Sequence, residues 1–119
     1  MVGLACHIGS QILNLKSYEM ASKKTIDLAT KINKLGIDLQ FFDMGGGLGV
    51  PYLDESPPHP KELISMLEEV FVNRNEKLIL EPGRSISANA GVLLTKVEYI
   101  KDNFAIVDAA MNDLIRPAL

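Results

Sequence analysis

Leu39-Gln40-Phe41-Phe42-Asp43-Met44-Gly45-Gly46-Gly47-Leu48-Gly49 decides how the chain is read. A segment of strand length, residues 38 to 43, gives way to glycines, which remove side chains where a backbone must bend or approach something closely. On its N-terminal side, residues from about Ser17 to Leu35 predict a helix, with Ser17 as N-cap and Gly36 as the stop. Leu28, Ala29, Ile32 and Leu35 give that helix an apolar stripe. Before it, residues 2 to 8 are continuously apolar, as in a strand covered on both faces, with His7 at the C-terminal end and Gly9-Ser10 following.

On the other side, Pro57-Pro58-His59-Pro60 closes a loop, and a second helix starts near Pro60 and ends near Asn73 to Asn75. Leu63, Ile64, Leu67, Val70 and Phe71 form its apolar face, and Leu78-Ile79-Leu80 is the third strand. Strand, helix, strand, helix, strand predicts an α/β fold with a parallel sheet and right-handed crossovers. From Ala90 the pattern changes to two β runs, residues 91 to 100 and 104 to 108, joined at Lys101-Asp102-Asn103 as a hairpin. The expected division is therefore 1–89 and 90–119, the second part opening a β-rich domain.

Composition sets the class. The chain has 119 residues, 47% apolar and 23% charged, which describes a folded protein. Its net charge of -3 is spread along the chain and points to neither a nucleic-acid nor a membrane partner. Cys6 is alone, which excludes an internal disulfide, and its apolar surroundings predict a buried thiol in a reducing compartment. No basic region or long apolar stretch precedes His7, so the expectation is a cytoplasmic protein without a membrane span. Both ends fall in structured patterns, so the chain is expected to be a piece of something larger.

Three loops stand out, each after a strand: His7-Ile8-Gly9-Ser10, Gly45-Gly46-Gly47-Leu48-Gly49 and Glu81-Pro82-Gly83-Arg84-Ser85. A parallel sheet brings them to one edge, where ligands bind in such folds. Unsatisfied backbone N–H groups in glycine turns favour anions, so phosphate is the natural candidate. Singly each loop has a plainer explanation. The glycine run lacks the Lys-Ser/Thr of a P-loop and suits a tight turn. His7 suits a hydrogen-bonded structural histidine, Glu81 a turn cap, Arg84 a surface salt bridge and Arg116 a solvated residue.

Taken in order, His7-Ile8-Gly9-Ser10-Gln11, Gly45-Gly46-Gly47-Leu48-Gly49, Glu81-Pro82-Gly83-Arg84-Ser85 and Asp113-Leu114-Ile115-Arg116-Pro117-Ala118-Leu119 resemble the successive motifs of the diaminopimelate decarboxylase family. These are pyridoxal-phosphate decarboxylases built on an alanine-racemase-like (β/α)8 barrel, fold-type III. The resemblance implies about three βα units of a barrel that takes about 250 residues in full, then the start of a β-rich domain. It implies pyridoxal phosphate as cofactor, an amino-acid substrate (diaminopimelate, converted to lysine and carbon dioxide at the last step of lysine biosynthesis), and a homodimer.

By that resemblance His7 would lie flat against the pyridine ring, and Ser10, the amides of Gly45, Gly46 and Gly47, and Gly83 would hold the phosphate. Glu81 would accept from the ring nitrogen and raise its pKa, typically by about 1 to 3. Arg84 and Arg116 would meet the substrate's distal carboxylate, which ornithine and arginine lack. At about 1.5 to 3 kcal/mol each, two such bonds correspond to a preference of roughly a hundredfold to ten-thousandfold.

The Schiff-base lysine and the acid cysteine of the family are not matched. Lys16, Lys23, Lys24, Lys31 and Lys34 fall in or beside the first helix, Lys61 in the second, and Lys77, Lys96 and Lys101 at strand edges or turns. The chain is therefore expected to be an internal fragment, inactive alone, and no metal ligands are expected. A non-catalytic phosphate-ligand or regulatory remnant, and an ornithine- or arginine-type decarboxylase, are the other readings. Ala110 stands where the resemblance implies glycine; if positive φ were required there, alanine would be strained by about 1 kcal/mol.

Overall fold

Each of the three runs forms a strand, shorter than its run in the first two and displaced by one residue in the third. The structure, a computed structural model, describes residues 1–114 and divides into two units after Ala88. In the first, β1 (Gly3–Ala5), β2 (Phe41–Asp43) and β3 (Lys77–Ile79) form a parallel sheet in that order, with Gly3 opposite Phe41 and Phe41 opposite Lys77. The ladder extends past the strands through single hydrogen bonds. Gln40 N donates to Val2 O at 2.8 Å and Lys77 N to Gln40 O at 2.9 Å before them; Cys6 N donates to Asp43 O at 2.9 Å and Met44 N to Ile79 O at 3.0 Å after them.

Helix α1 (Leu15–Asn33) starts earlier than its sequence pattern indicates. Asn14 occupies the N-cap in an extended conformation without a side-chain hydrogen bond, so Ser17 lies inside the first turn and does not cap it. Lys34 is the C-cap and Gly36, at φ +78°, makes the left-handed turn that stops the helix. The buried face is Tyr18, Ser22, Ala29 and Ile32. Leu28 is 49% exposed because it lies about a quarter turn from that arc, and Leu35, 77% exposed, falls beyond the helix in the turn at Gly36. Helix α2 (Pro60–Val70) begins at the expected proline and buries Leu63 and Leu67, with Phe71 at its C-cap; Ile64 faces out. His59 caps it reciprocally: Lys61 N donates to His59 Nδ1 at 3.1 Å and His59 N donates to Glu62 Oε2 at 2.6 Å.

The core joins the helices to the sheet through Tyr18, Ala29, Ile32, Phe42, Leu67 and Phe71. Phe42 is fully buried, a contribution of about 1.5–3 kcal/mol. Its ring meets Phe71 at 5.4 Å, and the Arg74 guanidinium, paired with Glu76, lies 5.4 Å from its centroid. Cys6 is half-buried and packs against the core, so its thiol is less enclosed than the apolar run indicates. A short helix, α3 (Arg84–Ser87), follows β3 and had no counterpart in the sequence pattern.

The second unit, by itself, is an antiparallel hairpin of β4 (Val97–Lys101) and β5 (Phe104–Val107). The first strand starts at Val97 rather than Gly91. Asp108 fixes that start: its Oδ1 accepts from Thr95 Oγ1 at 2.7 Å and from Lys96 N at 2.9 Å. Asp102 makes the turn at φ +51°. Among the described residues only Gln11 and Asp102 are non-glycine residues with positive φ, so Ala110 carries no such strain. Among the described residues no helix is long and apolar enough to cross a membrane.

Candidate functional site

The parallel register brings the three loops after β1, β2 and β3 together at the C-terminal edge of the sheet. Their backbones touch. Glu81 N donates to Gly45 O at 2.8 Å, Ile12 N to Gly47 O at 2.9 Å, and Gly49 N to Ile12 O at 3.0 Å. A Cβ on Gly46 would sit 2.0 Å from Glu81 O, and one on Gly47, which also has φ +92°, 1.9 Å from Gly9 O. No side chain fits at either position, which explains the glycine run physically.

The amides of this run point in different directions. Gly45 N donates to Asp43 Oδ1 at 2.8 Å, and Gly46 N faces His7 Nδ1 at 3.5 Å. Gly46 O accepts from the buried Tyr18 hydroxyl at 2.9 Å. A trans peptide holds its C=O and N–H on opposite sides, so Tyr18 turns the Gly47 N–H away from the core. Among the described residues that N–H has no backbone acceptor. Burial pushes the Tyr18 pKa up, so the hydroxyl stays a neutral donor.

His7, Ser10 and Glu81 stand exposed on the same edge. Gly9 and Gly83 border open space, with no atom within 4 Å of where a Cβ would be. Arg84 Nη1 donates to Gln11 Oε1 at 3.3 Å, and its guanidinium lies 5.8 Å from the Tyr52 ring centroid. His7, Ser10, Gly45, Gly46, Gly47, Glu81, Gly83 and Arg84 thus share one edge. Arg116 lies outside the described residues. Tyr18 and Tyr52 are additions that the motifs did not supply, and Gln11, the last residue of the first motif, had been given no role. Tyr18 had a signal: it lies on the helix arc of Ser22, Ala29 and Ile32.

Residues 1–88 match the family described as "Pyridoxal-dependent decarboxylase, pyridoxal binding domain". The chain belongs to the pyridoxal-dependent decarboxylases. It is 47% identical to the diaminopimelate decarboxylase of Aquifex aeolicus, across 100% of this chain and 30% of the relative. It is 51% identical to that of Vibrio cholerae, across 98% and 29% respectively. The crystal structure of diaminopimelate decarboxylase from Helicobacter pylori complexed with L-lysine superposes with a TM-score of 0.82 at 44% identity, covering 98% of this chain and 30% of that one. The chain thus spans about 30% of the length of these relatives.

The cofactor of these decarboxylases is pyridoxal phosphate. The residues present suit its anionic end. Three backbones converge too closely for side chains, the Gly47 N–H has no backbone acceptor among the described residues, and two glycines border open space beside them.

Proposed function

We propose that this chain is the stretch of a diaminopimelate decarboxylase that holds the cofactor's phosphate and ring and reads one end of the substrate. The observation that carries the reading is the convergence of the three loops at Gly46 and Gly47, where a Cβ would lie 2.0 Å from Glu81 O and 1.9 Å from Gly9 O. In this reading Ser10, the Gly47 N–H and the backbone at Gly83 bind the phosphate, while Gly45 and Gly46 shape the loop that presents it. His7 packs on the face of the ring. Glu81 accepts from the ring nitrogen and holds the proton there, since a neighbouring carboxylate favours the cationic form.

Bound pyridoxal phosphate supplies the electron sink for decarboxylation. Arg84 recognises the carboxylate at the far end of meso-diaminopimelate and repels the cationic end of ornithine or arginine. The first unit is proposed as part of a barrel and the second as the start of a β-rich domain. The whole protein would be a homodimer, and the described chain alone would be inactive. No lysine follows β1, β2 or β3 at the loop edge, where the amine that carries the cofactor would be needed.

The test is a graft in which this chain replaces the matched stretch of the Aquifex aeolicus enzyme. With added cofactor the graft is expected to release carbon dioxide from meso-diaminopimelate and not from ornithine. A folded graft that prefers ornithine, or acts on neither, overturns the reading.

A further inference from the structure

Arg84 does not reach the loop edge as a free side chain. Gln11 and Tyr52 both approach its guanidinium, and Gln11 is itself fixed. Gln11 Nε2 donates to Val50 O at 2.6 Å, while Gln11 Oε1 accepts from Val50 N at 3.2 Å and from Arg84 Nη1 at 3.3 Å. Pairing both ends of the amide with Val50 settles its orientation. The nitrogen must face Val50 O, so the oxygen faces the arginine. The opposite orientation would set donor against donor.

The backbone is committed to this arrangement too. Gln11 holds φ +55°, a conformation that non-glycine residues adopt rarely and that persists where surrounding contacts fix it. Tyr52, half exposed, offers its ring within cation–π range of the same guanidinium. A neutral amide and a neutral ring orient the cation without cancelling its charge. A carboxylate in place of Gln11 would pair with it.

We propose that Gln11 is a positioning residue for substrate specificity. It holds the Arg84 guanidinium in one rotamer with its charge unspent, ready for an anionic group on the substrate. The inference rests on the reading of Arg84 as the carboxylate-binding group, and its test separates the two.

In the graft, Gln11→Met is expected to raise KM for meso-diaminopimelate roughly tenfold, the change made by a hydrogen bond to a charged group. kcat and cofactor affinity stay within about twofold. Gln11→Glu keeps an acceptor for Arg84 and is expected to raise KM as well, because the added carboxylate competes with the substrate's. The second readout needs no activity: the side-chain 15N–1H signals of Arg84, assigned with Arg84→Lys. Wild type is expected to show restrained Nη groups, Gln11→Met averaged ones and Gln11→Glu restrained ones. Averaged Arg84 signals in wild type, or unchanged KM in both Gln11 variants of an active graft, overturn the positioning role. An inactive wild-type graft overturns the functional reading instead, and the Arg84 signals still decide the role of Gln11.

Discussion

The Tyr18 hydroxyl, buried on α1, donates to the carbonyl of Gly46 at 2.9 Å and so sets the direction of the glycine loop from beneath. This bond links a helix packed in the core to the loop proposed to meet the phosphate. Tyr18→Phe would leave Gly46 O buried without its donor, a cost of about 1–3 kcal/mol. The expected result is a lower melting temperature together with weaker cofactor binding in the graft. Alkaline titration gives an independent check. The folded pKa of Tyr18 is raised above the unfolded value of about 10, so its stabilisation is complete below that pH and lost as pH rises through the folded pKa. Tyr18→Phe should remove that part of the alkaline loss.

Close approach of backbones predicts an unequal response among the glycines. Gly46→Ala would force a Cβ to 2.0 Å from Glu81 O, a backbone atom that cannot yield without parting β2 from β3. Gly49→Ala would meet the Leu13 Cδ2 at 2.8 Å, a flexible side-chain end, although Ile12 O at 3.0 Å is also near. Thermal unfolding of the chain should show the larger loss for Gly46→Ala. Equal losses would contradict the packing argument.

Much of the first unit was legible because apolar runs and punctuation agree. The runs before His7 and Glu81 are continuous, the one before Gly45 carries Phe41-Phe42 between polar residues, and Pro60 and Gly36 act at one helix start and one helix stop as their backbone preferences dictate. What the sequence hid was phase and direction. Leu28 looks as apolar as Ala29 and Ile32, and only the position of the sheet decides which arc is covered. The loop motifs pointed to an anion, but Gly45 to Gly47 looked equivalent as amide donors. Asp43 and His7 engage two of those N–H groups, and Tyr18 turns the third outward. Gln11 sits inside a quoted motif, yet its partner Val50 is 39 residues away and no local pattern reveals it.

In the second unit, Asp108 predicts an acid-sensitive hairpin. Hydrogen bonds from the Lys96 backbone and the Thr95 hydroxyl hold its carboxyl below the usual range. A depressed folded pKa means that the stabilisation is present above the unfolded value of about 3.9 and is lost as pH falls through the folded one. The Lys96 amide resonance of the chain, followed between about pH 6 and pH 2 to span that transition, should move with this titration. Asp108→Asn should abolish the movement, and its persistence in that variant would assign it to another group.

Gly83 gives the most direct test of the proposed phosphate site, because no atom lies within 4 Å of a Cβ there, so an added methyl meets no clash, and its φ of -114° with ψ of -87° is outside the left-handed region. Cofactor affinity should therefore be measured by fluorescence titration of the graft with pyridoxal phosphate, for wild type and Gly83→Ala, beside their melting temperatures without cofactor. The loops as a phosphate site predict a melting temperature lowered by no more than a few degrees and an affinity weakened about tenfold or more, because the added Cβ would stand in the open space where the backbone is proposed to meet the phosphate and would lengthen its charge-assisted bond. Equal affinities in the two proteins would contradict it.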